Sequence, residues 1–216
     1  MGRVRPYRPE DRAAVRHICC ETGCMGNPVE AVFSDREAFA DFFTRYYTDC
    51  EPEHAFVAED QTGTVVGYLL GSLDYRHQPR RNAWLLLRTT IPKVVWRLLS
   101  GQYDARNRRF IRWFLFRAAG ETPPKVAEAA HFHINLLPAH RDGRLARRLI
   151  FGFVDHVKAH GLPRVYGQMQ VFEDTRTERA FARYGWQLLA RREVTKFREF
   201  HDEPVYVATL CKELTD

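Results

Sequence analysis

The chain has 216 residues, 45% of them hydrophobic and 28% charged, with a formal net charge of +6. These proportions are ordinary for a globular chain and exclude a disordered or fibrous one, and the length fits a single domain, 1–216, with a substantial core. No apolar run approaches the ~20 residues that a bilayer-spanning helix needs. The start, MGRVRPYRPEDRAAV, lacks an apolar signal-peptide core, and Gly2 has no Ser or Thr near position 6 to make a myristoylation signal, so a cytoplasmic location is expected.

Five cysteines, Cys19, Cys20, Cys24, Cys50 and Cys211, give an odd count with no repeated C-x-x-C pair. Free thiols are expected, with no disulfide and no metal. The positive charge is local: between residues 76 and 117 eleven Arg and Lys face the single acid Asp104, which leaves the rest of the chain net negative.

Val4 to Tyr7 reads as a first strand. The acids of Arg8-Pro9-Glu10-Asp11 suit the first turn of a helix whose apolar face is Val15, Ile18 and Cys19, and Gly23, Gly26, Asn27 and Pro28 end it. Ser34-Asp35-Arg36-Glu37 fits a capping box with Ser34 as cap, ahead of an aromatic stripe, Phe39, Phe42, Phe43, Tyr46 and Tyr47, at helical spacing. "HAFVAE" (54–59) and "TVVGYLLGSL" (64–73) are β-rich runs joined by a hairpin signal ending in Gly63.

A basic, aromatic segment, 82–120, predicts two or three helices, and Pro123-Pro124 closes it. "AHFHINLL" (130–137) alternates like a strand, and Leu145, Leu149, Ile150, Phe153, Val154 and Val157 then mark one face of a helix that stops at Gly161 and Pro163. A strand at 165–171, a helix at 174–184 and strands at 186–197 and 205–210 complete the order β α α β β, insertion, β α β α β β.

Between the fourth strand and its helix lies LLPAHRDGRLARRLI, residues 136–150. A strand that turns sharply into a helix directs several backbone amides into one small space, where the helix dipole adds positive potential, and this suits a phosphate. Arg141, Arg144, Arg147 and Arg148 add charge beside it.

The run P-A-H-R-D-G-R-L-A-R-R-L-I resembles motif A of the GNAT acyltransferase superfamily, whose R/Q-x-x-G-x-G/A loop holds the pyrophosphate of acyl-coenzyme A. "DTRTERAFARYGW" (174–186) is similar to that superfamily's N-x-x-A-x-x-F-Y-x-x-x-G-F segment. "AHFHINLLP" resembles bacterial relatives of the acetyltransferase-like domain of human O-GlcNAcase. The resemblance covers nearly the whole chain outside the insertion. It implies an α/β (α+β) fold: a GNAT-like, mixed and mostly antiparallel central sheet flanked by helices, with the helical insertion between the third and fourth strands.

It also implies an N-acetyltransferase that passes an acetyl or other acyl group directly from acetyl-CoA to a primary amine of a small-molecule or peptidic acceptor, without metal. The cofactor-binding residues would be Asn135, Leu136 and Leu137 on a strand that splays from its neighbour, then Arg141, Asp142, Gly143, Arg144, Leu145, Ala146 and Arg147. Arg141 stands at the R/Q position and Ala146 at the last, but Arg144 replaces the central glycine and Gly143 lies one residue early. Arg144 either swings outward to clamp phosphates or fills their cradle.

For proton transfer, His131 and His133 share one strand face near the position of a catalytic Glu in many relatives; His133 is the favoured base, and a structural role is the alternative for either ring. Glu59 and Glu128 are weaker candidates. The position of the relatives' acid Tyr is Phe181, and Tyr184, one turn on, is the candidate replacement. The insertion packs over the sheet, walls an acceptor site that then favours an anionic acceptor, or lies on an anionic membrane; no nucleic-acid motif is present. The alternative to an enzyme is a catalytically silent GNAT-like binding module. Monomer and homodimer leave the same sequence.

Overall fold

The computed structural model describes residues 2–171, 181–199 and 201–214. Seven strands form one sheet: β1 (Arg3–Pro6), β2 (Ala55–Glu59), β3 (Val65–Ser72), β4 (Ala129–Leu136), β5 (Arg164–Val171), β6 (Gln187–Glu193) and β7 (Tyr206–Glu213), in the spatial order β1-β2-β3-β4-β5-β7-β6. Every neighbouring pair is antiparallel except β4 and β5. The helix expected at 174–184 falls largely outside the described residues.

The parallel pair holds the main irregularity. β4 and β5 are in register only from Ala129↔Arg164 to Phe132↔Gly167, whereas β4 pairs β3 through Leu136 and β5 pairs β7 through Val171. The second halves of β4 and β5 thus part into a wedge in mid-sheet. The amide of Leu137 donates to the Val66 carbonyl at 2.9 Å. Ladder alternation then turns the backbone groups of Asn135 and His133 toward β3 and those of Leu136 and Ile134 toward the wedge. Of the three residues expected there, Leu136 has its amide facing the wedge, whereas those of Asn135 and Leu137 turn to β3, and the amide of Ile134, not anticipated, also faces the wedge.

One face of the sheet carries α8 (Arg144–Ala159), whose Leu149, Phe153, Val154 and Val157 are buried against Ala130, Phe132, Ile134 and Leu136 of β4. Close approach depends on glycine. A Cβ at Gly71 would overlap the ring of Phe153 and lie 2.7 Å from the His54 carbonyl, neither of which can yield without opening the core. Gly71→Ala is therefore expected to cost about 3 kcal/mol, a fall in thermal midpoint of roughly 6–12 °C, which a calorimetric melt checks.

On the opposite face lie α1 (Arg12–Glu21) and a composite helix made of α2 (Arg36–Ala40), a π-helical stretch (Asp41–Arg45) and α3 (Tyr46–Cys50). The cap of α2 is Asp35, which accepts from the Ala38 amide at 3.0 Å, and not Ser34, which is held instead by Asn107. The cap thus lies one residue beyond the Ser34 that side-chain types suggest, with Ala38 at the third helical position in place of an acid. The wide π turn is anchored by buried Asp41, which takes Arg16, Arg45 and Thr90, and it delivers Tyr46 and Tyr47 into the core.

The insertion starts earlier than its composition suggests and forms α4 (Gln78–Thr89), α5 (Ile91–Leu99), α6 (Ala105–Phe116) and α7 (Ala118–Glu121). Pro79 and Pro92 sit at helix starts, where a missing N–H costs nothing, so Pro92 opens α5. The insertion covers the α1–α3 layer more than the sheet: Phe110 stacks on Phe33 at 4.7 Å, and Val94 and Tyr103 join the same core. Two of its cations meet acids there, with Arg97 bonded to Asp35 and Glu37, and Lys93 to Glu37. Trp84, Leu87, Trp96, Leu99, Leu115 and Phe116 remain exposed on its outer side.

Candidate active site

Odd-numbered residues of β4 face α1–α3, so His131, His133 and Asn135 line one side of the sheet beside the wedge. The structure brings the two histidines together, with ring centroids 4.7 Å apart and perpendicular. Tyr47 binds His131 through its hydroxyl, 3.2 Å from Nδ1, and sets its ring edge against His133 at 5.4 Å. Phe43 and Tyr166 complete the enclosure. Asn135 donates to the buried Tyr68 hydroxyl at 2.7 Å, so its side chain is a bracket between β3 and β4.

Burial drives both imidazoles toward their neutral form, with Lys125 adding repulsion: the His133 pKa falls to about 4 and that of His131 lies well below the ordinary value. Lys125 is itself desolvated, and it donates to Gln78 at the root of α4. Gln168 binds the Pro123 carbonyl, which ties the end of the insertion to β5, so Lys125 and its partner Gln78 hold both ends of the insertion near the histidine pair while its helices lie over the neighbouring layer.

The depressed pKa has a sign that can be measured. Between pH 6.5 and 4 the unfolded chain binds the His133 proton and the folded chain does not, so this contribution is complete above about pH 6.5 and drains away as pH falls toward 4. By pH 5 the loss from this ring is about 2 kcal/mol. Urea unfolding at pH 7 and pH 5 is expected to show wild type losing about that much more stability than His133→Gln; equal losses would mean that the ring titrates normally.

At the mouth of the wedge the chain passes through Leu137 to Gly143 into α8. Gly143 has φ +82°, a left-handed conformation that glycine adopts without strain, and no heavy atom lies within 4 Å of where its Cβ would stand. Asp142 caps the Arg144 amide at 2.9 Å, and the first amide bonded within the helix is that of Arg147, to the Gly143 carbonyl. Helix geometry leaves the amides of Leu145 and Ala146 without intrahelical partners at the positive end of the dipole. The Arg144 side chain is 75% exposed, so it points outward and leaves the turn open. The open space, the left-handed glycine and the unpartnered amides together fit a diphosphate.

Arg141 does something its motif position did not suggest. Its Nε donates to the Leu136 carbonyl at 2.9 Å, and a terminal nitrogen donates to the Gly26 carbonyl at 2.8 Å. From the other lip of the wedge, Gln170 accepts from the Met25 amide at 3.2 Å. The Met25–Gly26 turn, with both residues at positive φ, is thus strapped across the wedge by one residue from each side.

The remaining expected residues divide. Arg147 lies over the rings of Phe151 and Tyr184 on the flank of α8, and Tyr184 meets Phe151 at 5.6 Å. That is the α8 side of the sheet, opposite the histidines. Phe181 packs on Trp186 at 5.8 Å. Glu59 is bound by Arg3 and Arg5 at the β1 edge, and Glu128 sits by Arg164 at the far end of β4, so neither weaker candidate joins the site. A cavity of about 470 Å³ opens between α6 and residues 195–199; it shares no lining residue with the wedge. The cysteines are free, and all but Cys50 are buried.

No family model and no curated protein matches the chain by sequence. Solved structures do match it. SsHAT is 28% identical, with a TM-score of 0.64, over 100% of this chain and 99% of that one. A Drosophila melanogaster polyamine N-acetyltransferase that forms N-acetylagmatine is 16% identical, at TM-score 0.59, over 99% of this chain and 100% of its own. A GNAT superfamily phosphinothricin acetyltransferase from Sinorhizobium meliloti, solved in complex with acetyl-CoA, is 15% identical, at TM-score 0.58, over 99% of this chain and 88% of its own.

Proposed function

We propose that this chain, whose fold is that of the GNAT acetyltransferases, is an N-acetyltransferase that passes an acetyl group from acetyl-CoA to the primary amine of a small-molecule or peptidic acceptor. Within that fold the β4 sequence "AHFHINLLP" supports a place near bacterial relatives of the acetyltransferase-like domain of human O-GlcNAcase. The observation that carries the reading is the wedge between β4 and β5, which opens onto a glycine turn with uncommitted helix amides and has a neutral histidine pair on its flank.

Acetyl-CoA supplies the thioester carbon that the amine attacks. On this chain the amides of Leu145 and Ala146, reached over Gly143, hold the diphosphate, and Arg144 and Arg147 add mobile charge around it. The wedge-facing amides of Ile134 and Leu136 grip the extended arm and offer donors to the carbonyl oxygen. His133, uncharged at neutral pH, accepts the proton that the amine nitrogen loses as the C–N bond forms. Arg141 orders the loop by fixing the Leu136 and Gly26 carbonyls. Tyr184 lies with Arg147 and Phe151 on the α8 side, away from the histidines, so no proton donor is assigned, and a thiolate of pKa around 8.5 leaves without one.

A second reading, a binding module without turnover, is favoured by one observation: Phe181 stands where a proton-donating tyrosine would be and packs on Trp186. Calorimetry with acetyl-CoA, followed by release of free thiol across a panel of amines, separates the two. Saturable binding with thiol release supports the enzyme, and saturable binding with no release across polyamines, amino sugars and peptides supports the module. Absence of binding at millimolar acetyl-CoA removes the enzyme and leaves the module as a surface that does not use the coenzyme.

A further inference from the structure

Away from the wedge, on the α8 side of the sheet, three histidines from distant parts of the chain converge. His54 precedes β2, and His156 and His160 lie one helical turn apart at the end of α8. One ligand nitrogen from each lies within 4.8 Å of the others. We propose that His54, His156 and His160 form a site for a late first-row divalent cation, with Zn2+ as its occupant and water at the fourth position. This site takes no part in acetyl transfer, and the inference does not depend on that reading.

The donor set and its orientation argue for a metal. His54 Nδ1 and His156 Nε2 are 2.9 Å apart. The His160 Nδ1–H donates to the His156 carbonyl at 2.8 Å, which fixes that ring's tautomer and leaves Nε2 as its ligand atom. Such a bond from the far nitrogen is what holds a metal-ligating histidine in place. His54 presents its other nitrogen, Nε2, to Glu51 and Glu53, each at 3.9 Å, so the outer nitrogen again faces an acceptor. Each ring therefore has an assignable inward nitrogen: Nδ1 of His54 and Nε2 of the two helix residues.

The geometry is near what a cation requires. Zn–N bonds of about 2.0–2.1 Å in a tetrahedron set the nitrogens roughly 3.3 Å apart. His54 and His156 need to open by a few tenths of an ångström, and His160, the exposed member, needs to swing inward. The hydrogen shared between His54 and His156 passes to Nδ1 of His156, so both inward lone pairs face the ion and no net proton is released from neutral rings. A cation here also meets the negative end of the α8 dipole. Three imidazoles select Zn2+, Ni2+, Cu2+ or Co2+ over Mg2+ and Ca2+, which prefer oxygen donors.

Bound there, the ion ties the end of α8 to the entry of β2. His54 adjoins Glu51, which is buried and takes Tyr46, Ser72 and the Leu73 amide, so the ion would brace the joint where α3, β2 and β3 meet.

The test uses untagged, chelator-stripped full-length protein titrated with Zn2+ by calorimetry, and with Co2+ by visible absorbance. The expected result is one Zn2+ per chain, tetrahedral Co2+ bands that Zn2+ abolishes, a raised thermal midpoint, and no competition from Mg2+. His160→Gln, at an exposed position, is expected to fold normally and to weaken Zn2+ binding at least tenfold. No Zn2+ uptake by wild type, Co2+ bands of octahedral type, or equal affinity in wild type and His160→Gln would each overturn the proposal. The wild-type measurements stand whether or not any variant folds.

Discussion

Replacing His133 by Gln is expected to leave the fold and the acetyl-CoA affinity intact and to lower kcat by about 10²–10⁴-fold, the range of a lost general base. Glutamine keeps polarity and approximate size but has no basic nitrogen. The effect should fall on His133 and not equally on His131, because the structure treats the rings differently. His131 spends Nδ1 on the Tyr47 hydroxyl, whereas His133 has ring contacts with Phe43 and Tyr47 and no hydrogen-bond partner among the described residues. It also lies on the part of β4 that has parted from β5, where an acceptor can approach. With its pKa near 4, its acid limb in a kcat profile should lie well below pH 6.5. A kcat within threefold of wild type would remove His133 from the mechanism.

Gly143→Val should produce the complementary phenotype: acetyl-CoA affinity weaker by about 30–100-fold, from the loss of one or two charge-assisted bonds, with kcat at saturation little changed. A branched side chain at φ +82° is strained by roughly 1–2 kcal/mol, which the fold can bear. Since no heavy atom beyond the neighbouring backbone lies within 4 Å of the new Cβ, the substitution projects into the open space over the turn. Arg144→Ala, by contrast, removes an outward side chain and should cost no more than a few-fold. A Gly143→Val protein with unchanged KM would show that the diphosphate does not lie over this turn.

The order of strands and helices was legible because each element carries its own period and its own stop, as in Leu149, Phe153 and Val157 ended by Gly161. The glycine turn was legible too, and so was the pairing of His131 with His133, which follows from two-residue alternation along β4. What escaped depended on backbone groups that a sequence does not display. Arg141 stood in a motif position for phosphate, yet its guanidinium is taken by the carbonyls of Leu136 and Gly26. Leu137 looked equivalent to Leu136, but ladder parity sends its amide to Val66. Glu59 and Glu128 were acids close in sequence to the right strands and at the wrong ends of them. His54 is about a hundred residues from His156, so no spacing rule could join them; only the antiparallel path of β2 and the length of α8 do.

The most direct measurement is a crystal structure of the protein with acetyl-CoA bound. The diphosphate should lie against the amides of Leu145 and Ala146 above Gly143, with the arm between β4 and β5 and the acetyl carbon facing His133. A diphosphate seated elsewhere, or Arg144 folded into the turn in its place, would contradict this account of the chain.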